Sequence, residues 1–121
     1  GIDTLVGGSG NDQFVFNSTT NSGNSRPLAD AITDFVRGQD KILLSAIDAF
    51  SATAANDAFL WRGTLAFVST NRGEIRYQKF DLAGTASDHT MIYIDSDGDA
   101  LSESVIRLVG LHNLTASDFI L

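Results

Sequence analysis

At 121 residues, 43% of them apolar and 19% charged, the chain is long enough for one folded core and too apolar to stay disordered. Fifteen acidic against eight basic side chains leave a net charge of −7, which argues against nucleic acid or an anionic membrane surface as the main partner and favours cations. There is no cysteine, so a disulfide framework and a thiolate metal site are both excluded.

The chain opens on its most informative stretch. Gly7-Gly8-Ser9-Gly10-Asn11-Asp12-Gln13-Phe14-Val15 fills every fixed position of the nonapeptide G-G-x-G-x-D-x-U-x, in which U is a large apolar residue. That pattern is the calcium-binding unit of a parallel β-helix. Its glycines let the backbone take positive φ and turn carbonyls inward, and its aspartate adds a carboxylate. Hard oxygen ligands of this kind suit Ca²⁺, which accepts six to eight of them in loose geometry. Phe14 then points into the coil from a short strand. Gly1 to Val6 reads as most of one more unit, with Gly1, Asp3 and Leu5 standing where Gly10, Asp12 and Phe14 stand nine residues later. Two nonapeptides make one coil, and a solenoid needs several to bury a continuous core. Residues 1–16 are therefore expected to be less than one coil, the end of a longer repeat array.

Residues 17–29 are small and polar, hold the single proline and read as a loop. Ala31 to Phe35 and Lys41 to Leu44 are two short strands around a turn at Arg37 to Asp40. Ser45 to Asp57 is alanine-rich behind a Ser45 cap and is expected to form one or two helical turns. From Phe59 the pattern is that of antiparallel β. Thr64 to Val68 is a predicted strand, Asn71-Arg72-Gly73 a turn, and Glu74 to Gln78 alternates with Ile75 and Tyr77 on one face. Thr90 to Ile94 and Val105 to Val109 are nearly continuous apolar runs, so both faces should be largely buried. Leu114 to Leu121 closes with a strand, or a tight turn and a strand. Neither a long apolar run nor an N-terminal signal peptide is legible, so no membrane insertion is expected.

Six segments in order carry a family resemblance: Gly7 to Asp12, Asp30 to Phe35, Gly38 to Ile42, Leu44 to Asp48, Gly73 to Tyr77 and Leu114 to Phe119. Together they resemble the C-terminal RTX (repeats-in-toxin) domain behind the catalytic domain of serralysin-type metalloproteases, a module found on other proteins of bacterial type I secretion. Leu43 departs from the family, where an acid often follows the Asp-Lys-Ile run. The resemblance implies an all-β fold, the end of a calcium-binding parallel β-roll capped by an antiparallel β-rich region with short helical turns. Residues 1–16 would be the last repeats, 17–29 a loop and 30–121 a C-terminal cap. Implied partners are calcium, the upstream repeats and catalytic domain of a parent chain, and the type I exporter; the implied location is extracellular. Asp118-Phe119-Ile120-Leu121 is similar to the terminal element of such secretion substrates, within a signal at 114–121. Its removal is expected to stop export while sparing the folding of the cap.

In a solenoid of this type the ion lies between turns about 18 residues apart. Counting from Asp12 reaches Asp30, so a calcium site is expected from the Gly7-to-Asp12 turn, with the Gly8 and Gly10 carbonyls, together with Asp30. Asp40 resembles a family ligand position and would complete it. Asp3 would share an ion with a turn further upstream. The plainer reading makes all of these ordinary turn aspartates. Asp95, Asp97 and Asp99, with Glu103 beyond, are weaker metal candidates. They fail the EF-hand pattern, because the glycine stands fourth and position twelve is Ile106. They also lack the large α/β domain that a haloacid-dehalogenase-like motif requires. An acid-rich hairpin turn is the plainer reading there, and a peripheral calcium site the other.

No catalytic centre is legible. His89 and His112 are not paired one helical turn apart with a glutamate between them, and no serine sits in a Gly-x-Ser-x-Gly elbow. Trp61, Arg62, Arg72, Arg76, Tyr77 and Lys79 offer a basic-aromatic face for a polysaccharide or another partner, the rival function; arginine stems lying along a sheet are its plainer account.

Overall fold

A computed structural model describes residues 2–49, 58–68, 72–82 and 88–121 of the chain. Among the described residues nine strands form two sheets. They are β1 (Thr4–Leu5), β2 (Gln13–Val15), β3 (Asp30–Ile32), β4 (Lys41–Leu43), β5 (Leu60–Trp61), β6 (Glu74–Phe80), β7 (His89–Asp95), β8 (Ser104–Val109) and β9 (Phe119–Ile120). The larger sheet has the order β1-β3-β8-β7-β6-β5 and the smaller β2-β4-β9. Only short 3-10 turns accompany them among the described residues, at Thr19–Asn21, Arg26–Leu28 and Ala116–Asp118. The all-β architecture is the expected one.

The coiling runs further than the two nonapeptides suggest. Leu5, Ile32 and Leu108 stack in parallel register across β1, β3 and β8. Phe14, Ile42 and Phe119 do the same across β2, β4 and β9. Each pair of stacked positions is one rung of a roll, and the chain passes from one sheet to the other in nine, ten and eleven residues for the successive rungs. Fully buried Ile32, Ile42 and Leu108 make the centre of the core, with Phe14, Phe16, Phe35, Leu44 and Phe119 packed around them. Alternation explains the short strands: in β2, Phe14 is buried between exposed Gln13 and Val15.

The region from Phe59 onward is correspondingly not all antiparallel. β6, β7 and β8 form the antiparallel meander, whereas β5–β6, β3–β8 and β4–β9 pair in parallel. The β3–β8 and β4–β9 pairs are parallel because β8 and β9 continue the coil in the direction set by β3 and β4. As expected, β7 and β8 are buried along nearly their whole length. Ile75 and Tyr77 of β6 share the core face. On the opposite face of the larger sheet, Met91, Val105 and Ala29 form a second small core. The segment after Ser22 covers it, with Val105 N–H donating to the Gly23 carbonyl at 2.8 Å.

Two local expectations need correction. Thr64 to Val68 is not a strand; the strand lies earlier, at Leu60–Trp61. Gly63, at φ +62°, turns the chain, and buried Glu74 captures the segment after it. Its Oε1 accepts from Val68 N–H at 2.9 Å and its Oε2 lies 3.0 Å from Arg62 Nε. That carboxylate draws the segment over itself as a loop. Of the expected helical turns over Ser45 to Asp57, residues 45–49 form turns and bends without a helix, and the remainder lies outside the described residues. So does Asn71 of the expected turn.

Candidate metal centre

Gly8 and Gly10 adopt φ of +93° and +109°, backbone that an L side chain rarely occupies, and these two residues make the repeat turn possible. Gly7 is needed for another reason. A Cβ there would stand 2.6 Å from Asp12 Oδ2, so the turn closes directly on that carboxylate. Asp12 Oδ2 is buried and has no hydrogen-bond partner. A buried carboxylate oxygen left unpaired is costly, and a cation is one way to satisfy it.

The aspartates pair differently from the expected 18-residue count. Asp12 N–H donates to Asp40 Oδ1 at 3.0 Å, 28 residues away. Asp3 N–H donates to Asp30 Oδ1 at 2.8 Å, 27 residues away. Asp12 and Asp30 therefore belong to different edges: Asp30 opens β3 of the larger sheet, while Asp12 precedes β2 of the smaller. The grouping of Asp30 with Asp12 is corrected on this point. The cause is the 17–29 segment, whose extra nine or ten residues fold as two 3-10 turns and lengthen the coil. Ser22 anchors that segment by accepting from Asp30 N–H at 2.8 Å and donating to the Val105 carbonyl.

Asp30 and Asp40 are almost wholly buried. Both oxygens of Asp40 accept backbone N–H groups, the second from Val36 at 2.8 Å. The reading from sequence missed Asp34. Its two oxygens accept from Gly7 N–H at 2.9 Å and Gly8 N–H at 2.7 Å, and these bonds hold its carboxyl below the usual range. Only the true coil length could have revealed it, since Asp34 lies 27 residues beyond Gly7.

At the turn between β7 and β8, one carboxylate oxygen from each of Asp95, Asp97, Asp99 and Glu103 lies within 4.8 Å of the others, a cluster that could hold a metal ion. Much of its hydrogen bonding is internal. Asp95 accepts from the N–H groups of Asp97, Gly98 and Ala100, and Glu103 Oε2 accepts from Ser96 N–H at 2.7 Å. Burial pushes the Glu103 carboxyl up, and the charges of Asp97 and Asp95 add to this against the Ser96 hydrogen bonds. Ala100 takes φ +71°, a strained conformation for alanine that the Asp95 bond holds in place.

The other candidates serve the fold. Trp61 stacks on Tyr77 at 5.8 Å and packs on Phe119 at 5.0 Å, and Tyr77 is buried. Arg62 pairs with Glu74, Arg72 donates to the Ala58 carbonyl, Arg76 lies over Tyr93, and Lys79 reaches Asn113. These residues point to both sides of the larger sheet and make no common face. His112 packs edge-on against Phe35, and His89 stacks on Phe80.

At the C-terminus Asp118 is buried, pairs with Arg37 at 3.3 Å and caps its own turn by accepting from Thr115 N–H at 2.8 Å. Leu44 N–H donates to the Ile120 carbonyl at 2.8 Å. Asp118 to Leu121 is thus built into the core rung, so its removal is predicted to disturb the fold and not to spare it. Among the described residues no helix is long and apolar enough to cross a membrane.

Among curated proteins none matches the chain. The family described as Peptidase M10 serralysin C terminal matches residues 1–121, the whole length. A chain of stacked parallel rungs opening on a glycine-aspartate turn, and matched from end to end, belongs to the serralysin C-terminal family, the non-catalytic module of those proteins.

Proposed function

We propose that this module binds calcium at the Gly7-to-Asp12 turn, orders on doing so, and closes the end of a β-roll in a larger protein secreted by the type I route. One observation carries the reading: Asp12 Oδ2 is buried without a partner in a turn whose neighbouring glycine leaves no room for a methyl group. The donor set fits a hard cation, because every group on offer is an oxygen and no thiol or imidazole stands in the turn. Asp12 and the carbonyls of Gly7, Gly8 and Gly10 would hold the ion, with Asp40 and the Asp3–Asp30 pair supporting the neighbouring coil edges.

When bound, calcium supplies positive charge that offsets the repulsion among closely stacked carboxylates. The chain does the rest. Glycine-rich turns lose much conformational entropy on ordering, and net charge −7 adds self-repulsion, so without a cation the turn region is marginal. Extracellular calcium modules have Kd of about 10⁻⁴–10⁻³ M. A single site filled at about 100 times its Kd adds roughly 2.7 kcal/mol. That difference suits a chain kept loose where calcium is scarce and folded outside the cell.

In this reading residues 1–16 are the last repeats, 17–29 a covering loop and 30–121 the cap, with the export signal at 114–121. The partners are the upstream repeats and catalytic domain of the parent, and the exporter. The Asp95–Glu103 cluster would be a second, weaker and peripheral calcium site. Calorimetric titration with calcium tests the proposal: wild type should bind saturably and Asp12→Ala should lose the strongest site. Binding that ignores Asp12→Ala would refute it.

A further inference from the structure

We propose that Asp34 is a positioning residue for the calcium turn, a carboxylate that aims the backbone of Gly7 and Gly8 without itself ligating the ion. The inference rests on the calcium reading above and adds a residue to it. The Gly7 and Gly8 N–H groups converge on the two oxygens of Asp34, at 2.9 and 2.7 Å, from a turn in which Gly8 has φ +93°. Successive N–H groups in such a turn make a concave nest for an anion. Here the anion is built into the chain, one coil below.

Peptide planarity gives this clamp its consequence. No cis peptide occurs among the described residues, and in a trans peptide the carbonyl points away from the N–H of the next residue. Holding Gly7 N–H and Gly8 N–H toward Asp34 therefore turns the carbonyls of Val6 and Gly7 away from it. Gly7 is also the residue against which the unpartnered Asp12 Oδ2 packs. One carboxylate thus takes the positive ends of two peptide dipoles and leaves the Gly7 carbonyl, one of the proposed ligands beside Asp12, turned away from itself.

Asparagine cannot reproduce this arrangement. It offers one acceptor oxygen, and its amide would set a donor against a donor. The experiment uses the full chain. Calcium affinity is measured by calorimetry, and the water bound to terbium in the same site is counted from luminescence decay in H₂O and D₂O. Asp34→Asn should weaken calcium about tenfold, as expected for one lost charge-assisted hydrogen bond. It should also admit at least one further water to terbium, a change that a merely structural role would not produce. Near-UV circular dichroism in chelator checks that the variant is folded. If it is not, Asp34→Glu, which keeps the charge and displaces the oxygens, should give an intermediate affinity and water count. Wild-type affinity and hydration in the folded variant would overturn the role of Asp34 alone. Absence of saturable binding to wild type, or binding indifferent to Asp12→Ala, would instead overturn the calcium site on which it rests.

Discussion

Asp12 donates to Asp40 across adjacent coils, its N–H reaching Asp40 Oδ1 at 3.0 Å, and the next residue answers, Lys41 N–H donating to the Asp12 carbonyl at 2.9 Å. The second oxygen of Asp40 accepts from Val36 N–H, so a single buried carboxylate joins two coils and closes its own turn. Asp40→Ala would strand both donors. It is expected to cost about 2–4 kcal/mol, from two charge-assisted bonds and the desolvation of the groups left behind. Urea unfolding in chelator, followed by Trp61 fluorescence, measures this; a loss below about 1 kcal/mol would mean that water replaces the bonds freely.

Two glycines in the repeat turn separate steric from conformational causes. At Gly7, alanine meets no positive-φ penalty, but its Cβ would lie 2.6 Å from Asp12 Oδ2. At Gly8, alanine has open space but must adopt φ near +93°. Gly7→Ala is therefore expected to raise the calcium midpoint at least tenfold by displacing Asp12. Gly8→Ala should lower stability by about 1–2 kcal/mol through backbone strain. Calcium titrations and chelator melts of the two variants, side by side, should show opposite patterns; identical behaviour would contradict the assignment of causes.

The repeat turn itself was legible, because three glycines and an aspartate at fixed offsets encode a local backbone. The register between coils was not. Nothing local tells whether Asp12 meets a residue 18 or 28 positions on, and the answer lies in whether the 17–29 segment continues the coil or bulges out over Met91 and Val105. The third rung was hidden for the same reason. β8 and β9 lie in parallel beside β3 and β4, but the whole β5–β7 excursion intervenes in sequence, and hydrophobic runs do not declare their partners. Thr64 to Val68 read as a strand on apolar content alone. What decides its path is a buried charge, Glu74, six residues beyond Val68. Asp34 was missed because its role exists only once Gly7 has been stacked above it.

The C-terminal strand is a load on the core and not a tail. Phe119 is 6% exposed, sits in register with Ile42 and packs against Trp61. Phe119→Ala should cost about 3–5 kcal/mol, the usual range for removing a buried aromatic ring. Deleting Asp118 to Leu121 should be at least as damaging, since it also removes the partner of Arg37 and the acceptor for Leu44 N–H. Thermal melts in saturating calcium would report both; a truncated chain that melts like wild type would place the strand outside the cooperative unit.

The acidic turn between β7 and β8 makes a prediction about pH whose sign is fixed by Glu103. Its folded pKa is raised above the ordinary 4.5, first by burial and then by Asp97 and Asp95. The folded state therefore holds this proton more tightly than the unfolded one, and stability falls as pH rises through the folded pKa. Below about 4.5 the contribution is fully present; above the raised folded value it is gone. Glu103→Gln keeps an acceptor for Ser96 N–H without the charge, so in chelator it should be at least as stable as wild type at pH 7 and should flatten the pH dependence above 4.5. Calcium should reverse the comparison. If the four clustered carboxylates take an ion, wild type gains stability on adding it and Glu103→Gln gains less. Denaturation midpoints at several pH values, with and without calcium, resolve the two effects. A variant that gains as much from calcium as wild type would leave the cluster a solvated turn whose carboxylates serve only the backbone of residues 95–103.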